Sequence, residues 1–126
     1  MSNKIKGFKD FNENSHYLVE VIKNVEQMLL GIRRFDFYTK VNLQNQKYLE
    51  IQIKKSSEDI KVFESGDIKE TLIEINQYLT LGEELKLCEI QAQRVPTSSE
   101  STSFRQLIMG NILLLDCNLV YKLNSI

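Results

Sequence analysis

The chain has 126 residues, of which 42% are hydrophobic and 26% are charged, and its formal net charge is -1. This length predicts a single domain over residues 1–126 that can bury a core without disulfide bonds. The near-neutral charge argues against a specific nucleic-acid binder, and the apolar segments are too short and too interrupted to span a membrane.

The charge is distributed unevenly along the chain. Up to Lys55 there are ten Lys and Arg against six Asp and Glu, a net charge of +4; from Ser56 onward there are six against eleven, a net charge of -5. A dipolar surface of this kind can steer a charged partner, although solvated faces of either sign are also common.

The two cysteines, Cys88 and Cys117, are expected to be reduced thiols that fill small apolar spaces. The first ten residues, MSNKIKGFKD, carry charge but no apolar run of the kind that a signal peptide needs. Both observations predict a cytoplasmic protein.

The first half of the chain predicts an arm, a helix and a hairpin. Residues 1–13 show no clear period and are expected to form a loosely ordered arm. Asn14 or Ser15 then caps a helix whose apolar residues recur at helical spacing up to Ile32. From Phe35 the period changes to two, which predicts an antiparallel hairpin of strands 35–43 and 49–53 and a short third strand over residues 60–64. The residues expected to face inward are Phe35, Phe37, Val41, Leu49, Ile51 and Ile53.

The second half begins with a helix whose stripe is Ile68, Leu72, Ile75 and Leu79 and which Gly82 ends. The segment from Leu85 to Val95 is rich in helix formers but directly follows a helix end, so strand and helix both remain open, and strand is preferred. Residues 97–103 are expected to form a flexible polar loop. Residues 104–123 predict two buried strands, with turns at Gly110-Asn111 and at Asp116-Cys117-Asn118.

These segments predict an α+β fold with the order α-β-β-β-α-β-β-β. Consecutive strands joined by short turns should form an antiparallel sheet of about five to six strands, with two amphipathic helices on one face.

Catalytic and metal-binding patterns are weak in this sequence. His16 is the only histidine, so a site built from several histidines is excluded, and no other cluster has the spacing of metal ligands. Asp36 and Glu50 lie on adjacent predicted strands, but both belong to the solvated face. The five glycines are isolated and form no phosphate-binding loop. We therefore assign no catalytic residue and expect no cofactor and no metal, which favours a protein that is not an enzyme.

A small set of exposed residues could bind a ligand. Tyr38 and Tyr48 fall on the polar face of the predicted hairpin together with Lys40 and Lys54, and Arg105 is the charge closest to the most apolar segment. Aromatic and cationic side chains on an open sheet can contact a partner, whereas solvated side chains are the ordinary alternative.

The leading hypothesis is a small non-enzymatic protein that acts through protein–protein interaction, as an inhibitor, immunity or accessory protein. The alternative is a small-molecule binding domain that grips an anionic ligand between sheet and helix. The density of apolar residues in the C-terminal segment also predicts a homodimer that forms through the C-terminal strands.

Overall fold

A computed structural model describes residues 6–56, 61–82, 85–96 and 101–124, with side chains from Tyr17 onward. Its helices are α1 (Lys6–Arg33), α2 (Lys69–Thr80) and α3 (Phe104–Met109), and a 3-10 turn (Ser65–Ile68) precedes α2. Its strands are β1 (Phe37–Gln44), β2 (Tyr48–Lys55), β3 (Phe63–Glu64), β4 (Leu85–Arg94) and β5 (Leu113–Leu123). The α+β prediction is confirmed.

Strand β5 is the centre of an antiparallel sheet. Strand β2 pairs with β5 from Asp116 to Lys122. The two residues of β3 pair with the start of β5, at Leu113 and Leu114. Strand β4 pairs with the same β5 residues as β2 does, so β4 lies along the opposite edge of β5. Strand β1 pairs with β2 over its whole length. The last strand of the described chain is therefore the one that joins the others.

The alternation of side chains divides the sheet into an inner face, which packs against the helices, and an outer face. Strand β2 shows this division most clearly, because Ile51 has no exposed surface whereas its neighbours Glu50 and Gln52 are half-buried on the other side. The inner-face residues that are almost completely buried are Phe37, Leu49, Ile51, Ile53, Leu85, Cys117, Leu119 and Tyr121.

Helices α1 and α2 cover the inner face with the two apolar stripes that the sequence predicts. The stripes recur every three or four residues, which keeps each on one side of its helix. They consist of Leu18, Val21, Val25, Leu29 and Ile32 in α1, and of Leu72, Ile75 and Leu79 in α2, with Ile68 just before it. The hydroxyl of Tyr121 donates a 2.6 Å hydrogen bond to Oδ1 of Asn76 and so connects β5 to α2.

Helix α1 begins at Lys6, so the prediction that Asn14 or Ser15 caps it is wrong. A capping side chain contributes only about 1 kcal/mol, and no proline stands between residues 6 and 16 to end the helix at that point. The predictions of a loosely ordered arm over residues 1–13 and of a flexible loop over residues 97–103 stay predictions. Residues 1–5 and 97–100 lie outside the described residues.

The beginning of β1 also differs from the prediction. The side chain of Phe35 is 66% exposed instead of facing inward, and the strand starts two residues later, at Phe37. The cause is Asp36, whose φ of 65° interrupts the extended backbone between the two phenylalanines. From Phe37 onward the predicted antiparallel hairpin is present, and Val41 lies opposite Ile51.

The segment after residue 103 forms a helix and one strand, so the prediction of two strands is wrong there. The Ser103 hydroxyl accepts a hydrogen bond from the Gln106 backbone, and the Gln106 side chain accepts one from the Ser103 backbone, which caps α3 at its start. Gly110 ends α3 with a φ of 83°. Asp116, Cys117 and Asn118 form no turn but continue β5, because Cys117 points to the core and its two neighbours point to the outer face.

Two irregularities interrupt the pairing of β4 with β5. Cys88 is an extra residue between Leu87, which pairs with Tyr121, and Glu89, which pairs with Val120. Leu115 is an extra residue on the other strand, because Gln93 pairs with Asp116 and Arg94 pairs with Leu114. The extra residue Cys88 shifts the alternation of β4 by one, so Ile90 and Ala92 lie on the inner face, as Leu85 and Leu87 do before the bulge. The prediction of a strand from Leu85 is confirmed.

None of the helices in the part of the chain that the structure describes is long and apolar enough to cross a membrane.

Candidate functional site

The outer face of the sheet is open to solvent in the part of the chain that the structure describes. None of its side chains is buried, whereas the inner face is packed against α1 and α2. Four cross-strand rows make up this outer face: Tyr38, Lys54, Asp116 and Gln93; Lys40, Gln52, Asn118 and Gln91; Asn42, Glu50, Val120 and Glu89; Gln44, Tyr48, Lys122 and Lys86. A sheet face with this composition is a polar, solvent-accessible surface that a partner can contact.

Amide side chains occupy the centre of the outer face. Gln52 and Asn118 are opposite each other on the two central strands, and both are half-buried among their neighbours. Oδ1 of Asn118 is buried and accepts no hydrogen bond from the described residues. An unpaired buried acceptor costs about 1–3 kcal/mol, and asparagine is a poor strand former. The stability of the fold therefore does not explain why an asparagine occupies position 118.

Three lysines surround a cleft at one end of the outer face. We call it the lysine cleft. It has a volume of about 610 Å³ and is lined by Tyr38, Lys54, Lys55, Ser56, Lys61, Gln93 and Leu115. The pairing of β1 with β2 brings Tyr38 opposite Lys54, and the bulge at Leu115 turns that side chain toward the cleft.

The walls of the lysine cleft are fixed by local contacts. Nζ of Lys54 lies 5.1 Å from the centroid of the Tyr38 ring. Nζ of Lys55 lies 4.4 Å from the centroid of the Phe37 ring and donates a 3.1 Å hydrogen bond to the Phe35 carbonyl. The Ser56 hydroxyl donates to the Asp36 carbonyl at 2.7 Å. Lys55 and Ser56 thus hold the turn before β1 against the end of β2, while Lys54 and Lys61 remain exposed.

The structure brings together only some of the residues that the sequence suggests for ligand binding. Tyr38 and Lys54 share the lysine cleft, and Lys40 lies in the next row of the outer face. Tyr48 lies at the opposite end of that face, beside Lys122. Arg105 is exposed on α3, an element that contacts α2 and the 3-10 turn. The five residues therefore do not form one site.

Sequence reasoning missed the other residues of the lysine cleft. Lys55 follows Lys54 directly, and Lys61 stands six residues further on, so the segment KKSSEDIK was a visible signal of local positive charge. Leu115 could not be identified in this way, because only the bulge turns it away from the regular alternation.

The thiols do not provide a nucleophile in the core. Burial raises the pKa of the Cys117 thiol to about 12, and the negative charge of Asp116 adds to the shift. Cys117 is therefore protonated at neutral pH, and Cys88 is exposed at the bulge of β4. Across residues 6–56, 61–82, 85–96 and 101–124, no group of three or more His, Cys, Asp or Glu is arranged to hold a metal ion. The side chain of His16 is not among those that the structure describes.

Comparisons with protein-family models, with curated proteins and with solved structures find no match for this sequence.

Proposed function

We propose that this protein is a non-enzymatic binding protein that recognises a protein partner through the outer face of its sheet. An inhibitor, an immunity protein or an accessory subunit would work in this way. The observation that carries the proposal is the uncovered outer face with the unpaired amide of Asn118 at its centre. Because Oδ1 of Asn118 is buried in the unbound fold, a partner that contacts the row of Gln52 and Asn118 would supply the missing donor once the Asn118 amide turns outward.

Two further features agree with a protein partner. The outer face is polar, and protein interfaces of the non-obligate kind are about as polar as the rest of the surface. Tyr38 and Tyr48 stand at two ends of this face, and tyrosine is among the residues that contribute most at such interfaces. A cytoplasmic location belongs to the same proposal, because both cysteines are free.

A second copy of the chain is one candidate for this partner. Leu114 is completely buried, so the predicted contact through the C-terminal strand has to use outer-face residues of β5 such as Asn118 and Val120. A homodimer formed in this way would be two-fold symmetric and would place the two outer faces against each other.

The second candidate function is the binding of a small anionic molecule. The observation that favours it is the lysine cleft, although this cleft opens on the outer face and not between sheet and helices. Native mass spectrometry of the purified protein separates the two candidates: a co-purified small anion favours the second function, and a bound protein chain favours the first.

The test of the first function is affinity capture of the partner protein. It compares the wild type with the double variant Gln52→Arg, Asn118→Arg, which changes the centre of the outer face. The matched control is Gln27→Arg, Gln77→Arg, which adds the same charges to exposed positions of α1 and α2. We expect the same partner to bind the wild type and the control, and to be lost with the outer-face variant when circular dichroism shows that this variant is folded. Equal capture by all three proteins, or capture by none, contradicts the proposal.

A further inference from the structure

The lysine cleft contains positive charge that the described residues do not neutralise. Lys54, Lys55 and Lys61 line it, and no described carboxylate does. The ion pair that the described residues form joins Arg33 to Glu26, and both belong to α1. The carboxylate of Asp116, the cross-strand neighbour of Lys54, does not line the cleft and forms no ion pair with its described lysines; its Oδ1 accepts a 3.2 Å hydrogen bond from the Gln93 backbone. Glu58 and Asp59 stand between Ser56 and Lys61 in the sequence and lie outside the described residues.

From this juxtaposition we infer that the lysine cleft receives the carboxylates of an acidic segment of the partner protein. The inference rests on the proposed function and adds the chemistry of the partner. Lysine ammonium groups that face one cleft repel each other, and anions bound between them remove that repulsion. Tyr38 and Leu115 add apolar wall area against which the methylene groups of glutamate or aspartate can pack.

The shape of the cleft favours a protein segment over a free small anion. Sites for small molecules usually enclose most of the ligand surface. The lysine cleft is bounded by Gln93 and Tyr38, which belong to the first row of the outer face, so it continues into that face instead of closing over a ligand. A segment that lies along the outer face can therefore reach the cleft with its acidic side chains.

The distribution of charge favours a short acidic segment over a nucleic acid. Glu50 and Glu89 lie in one row of the outer face, two rows away from the row of Tyr38 and Lys54. A long polyanion that followed the outer face away from the cleft would meet these carboxylates. A peptide with a few acidic residues avoids them, because its charge can stay within the cleft.

Fluorescence anisotropy with a labelled peptide of about eight aspartate and glutamate residues tests the inference on the full chain. We expect binding that weakens as sodium chloride rises from about 50 to about 300 mM, because screening acts on exposed charges. The variant Lys54→Gln, Lys61→Gln should bind about five to ten times more weakly, in line with the loss of two exposed charge pairs. Lys55 is left unchanged because it also contacts Phe37 and the Phe35 carbonyl.

The matched control is Lys86→Gln, Lys122→Gln, which removes two exposed lysines from the opposite end of the outer face. This control should bind the peptide as the wild type does. Equal losses in the two variants would mean that only overall charge matters and would overturn the inference. Equal binding of a neutral peptide of the same length, tighter binding of single-stranded DNA, or displacement of the peptide by inorganic phosphate at similar concentration would also overturn it.

The outcome for the inference is separate from the outcome for the proposed function. If the acidic peptide fails to bind but Gln52→Arg, Asn118→Arg still abolishes capture of the partner, then the outer face is the interface and only the acidic chemistry is wrong. If partner capture does not depend on the outer face, the proposed function fails as well.

Discussion

The two cysteines have opposite surroundings although their strands are neighbours in the sheet. Cys88 is exposed because it is the extra residue of a bulge in β4, outside the regular pairing. Cys117 lies on the inner face of β5 opposite Ile53 and has no exposed surface. Burial also holds the Cys117 thiol in its neutral form, which is not the nucleophilic form.

Alkylation should therefore distinguish the two thiols. We expect a thiol reagent at pH 8 to add a single label to the native protein, at Cys88, and to add a second label once the protein is unfolded. Intact-mass measurement followed by peptide mapping gives the result. Rapid double labelling of the native protein would show that the inner face is accessible, and a protein that accepts no label after unfolding without reductant would contain a disulfide bond.

The same burial predicts how stability depends on pH. The pKa of Cys117 is raised from 9.0 to about 12, so the folded state retains a proton that the unfolded state releases above pH 9. The free energy of unfolding should be unaffected by this group below pH 9 and should fall as the pH rises from 9 toward 12. Tyr121, whose pKa burial also raises above its ordinary value of 10.0, acts in the same direction. In urea titrations at pH 8 and pH 10.5, Cys117→Ala should lose less stability between the two pH values than the wild type; an equal loss contradicts the assignment.

The hydrogen bond between Tyr121 and Asn76 should contribute measurably to stability. Tyr121→Phe removes the hydroxyl that donates to Asn76 and leaves the ring in the core, so we expect a loss of about 1 kcal/mol in the free energy of unfolding. Tyr48→Phe is the control, because Tyr48 is half-exposed on the outer face. Urea denaturation measures both, and equal effects would mean that the bond to α2 contributes nothing specific.

At the level of helices and strands, regular periods were predictable and their interruptions were not. The hairpin of β1 and β2 and the stripes of α1 and α2 follow one uninterrupted period each, and all were predicted. Phe35 was misassigned because the left-handed backbone of Asp36 has no clear signature in a sequence. Helix α3 has only six residues, too few for a period to be recognised, and its main signal was the capping pair of Ser103 and Gln106.

The candidate site was predictable only where it follows the same alternation. Tyr38 and Lys54 were identified because both belong to the polar side of the hairpin. Lys55 was missed because alternation directs it to the inner face, and at the end of the sheet it lines the lysine cleft all the same. Lys61 and Leu115 depend on a turn and a bulge, and neither continues the period of the strands.

The register of β2 gives the sharpest test of the fold. Ile51→Asp places a carboxylate where no surface is exposed, which costs several kcal/mol and should unfold the protein. Gln52→Asp changes the adjacent residue on the open side and should leave the protein folded. Thermal denaturation followed by circular dichroism compares the two variants. Similar stability of both would show that the two faces of β2 are assigned wrongly.

For the molecule as a whole, the two faces of the sheet differ in what they contribute to the core. The inner face and the helices supply the apolar core, and the outer face contributes little to it because none of its side chains is buried. Substitutions on the outer face are therefore expected to alter binding without unfolding the protein, which makes the proposed function testable by point variants.

The position of β5 also determines when this protein can fold during translation. The ribosome delivers residues 113–123 after every other described element, at about 5–20 residues per second. Until they leave the exit tunnel, β2, β3 and β4 are without their shared neighbour. The nascent chain should consequently contain the β1–β2 hairpin and helices that are not yet packed into a complete core. We expect it to be sensitive to proteases and to be a substrate for chaperones. Ribosome-bound chains stalled before residue 113 should be digested readily, and chains that carry an added C-terminal linker long enough for β5 to leave the tunnel should become resistant in one cooperative step.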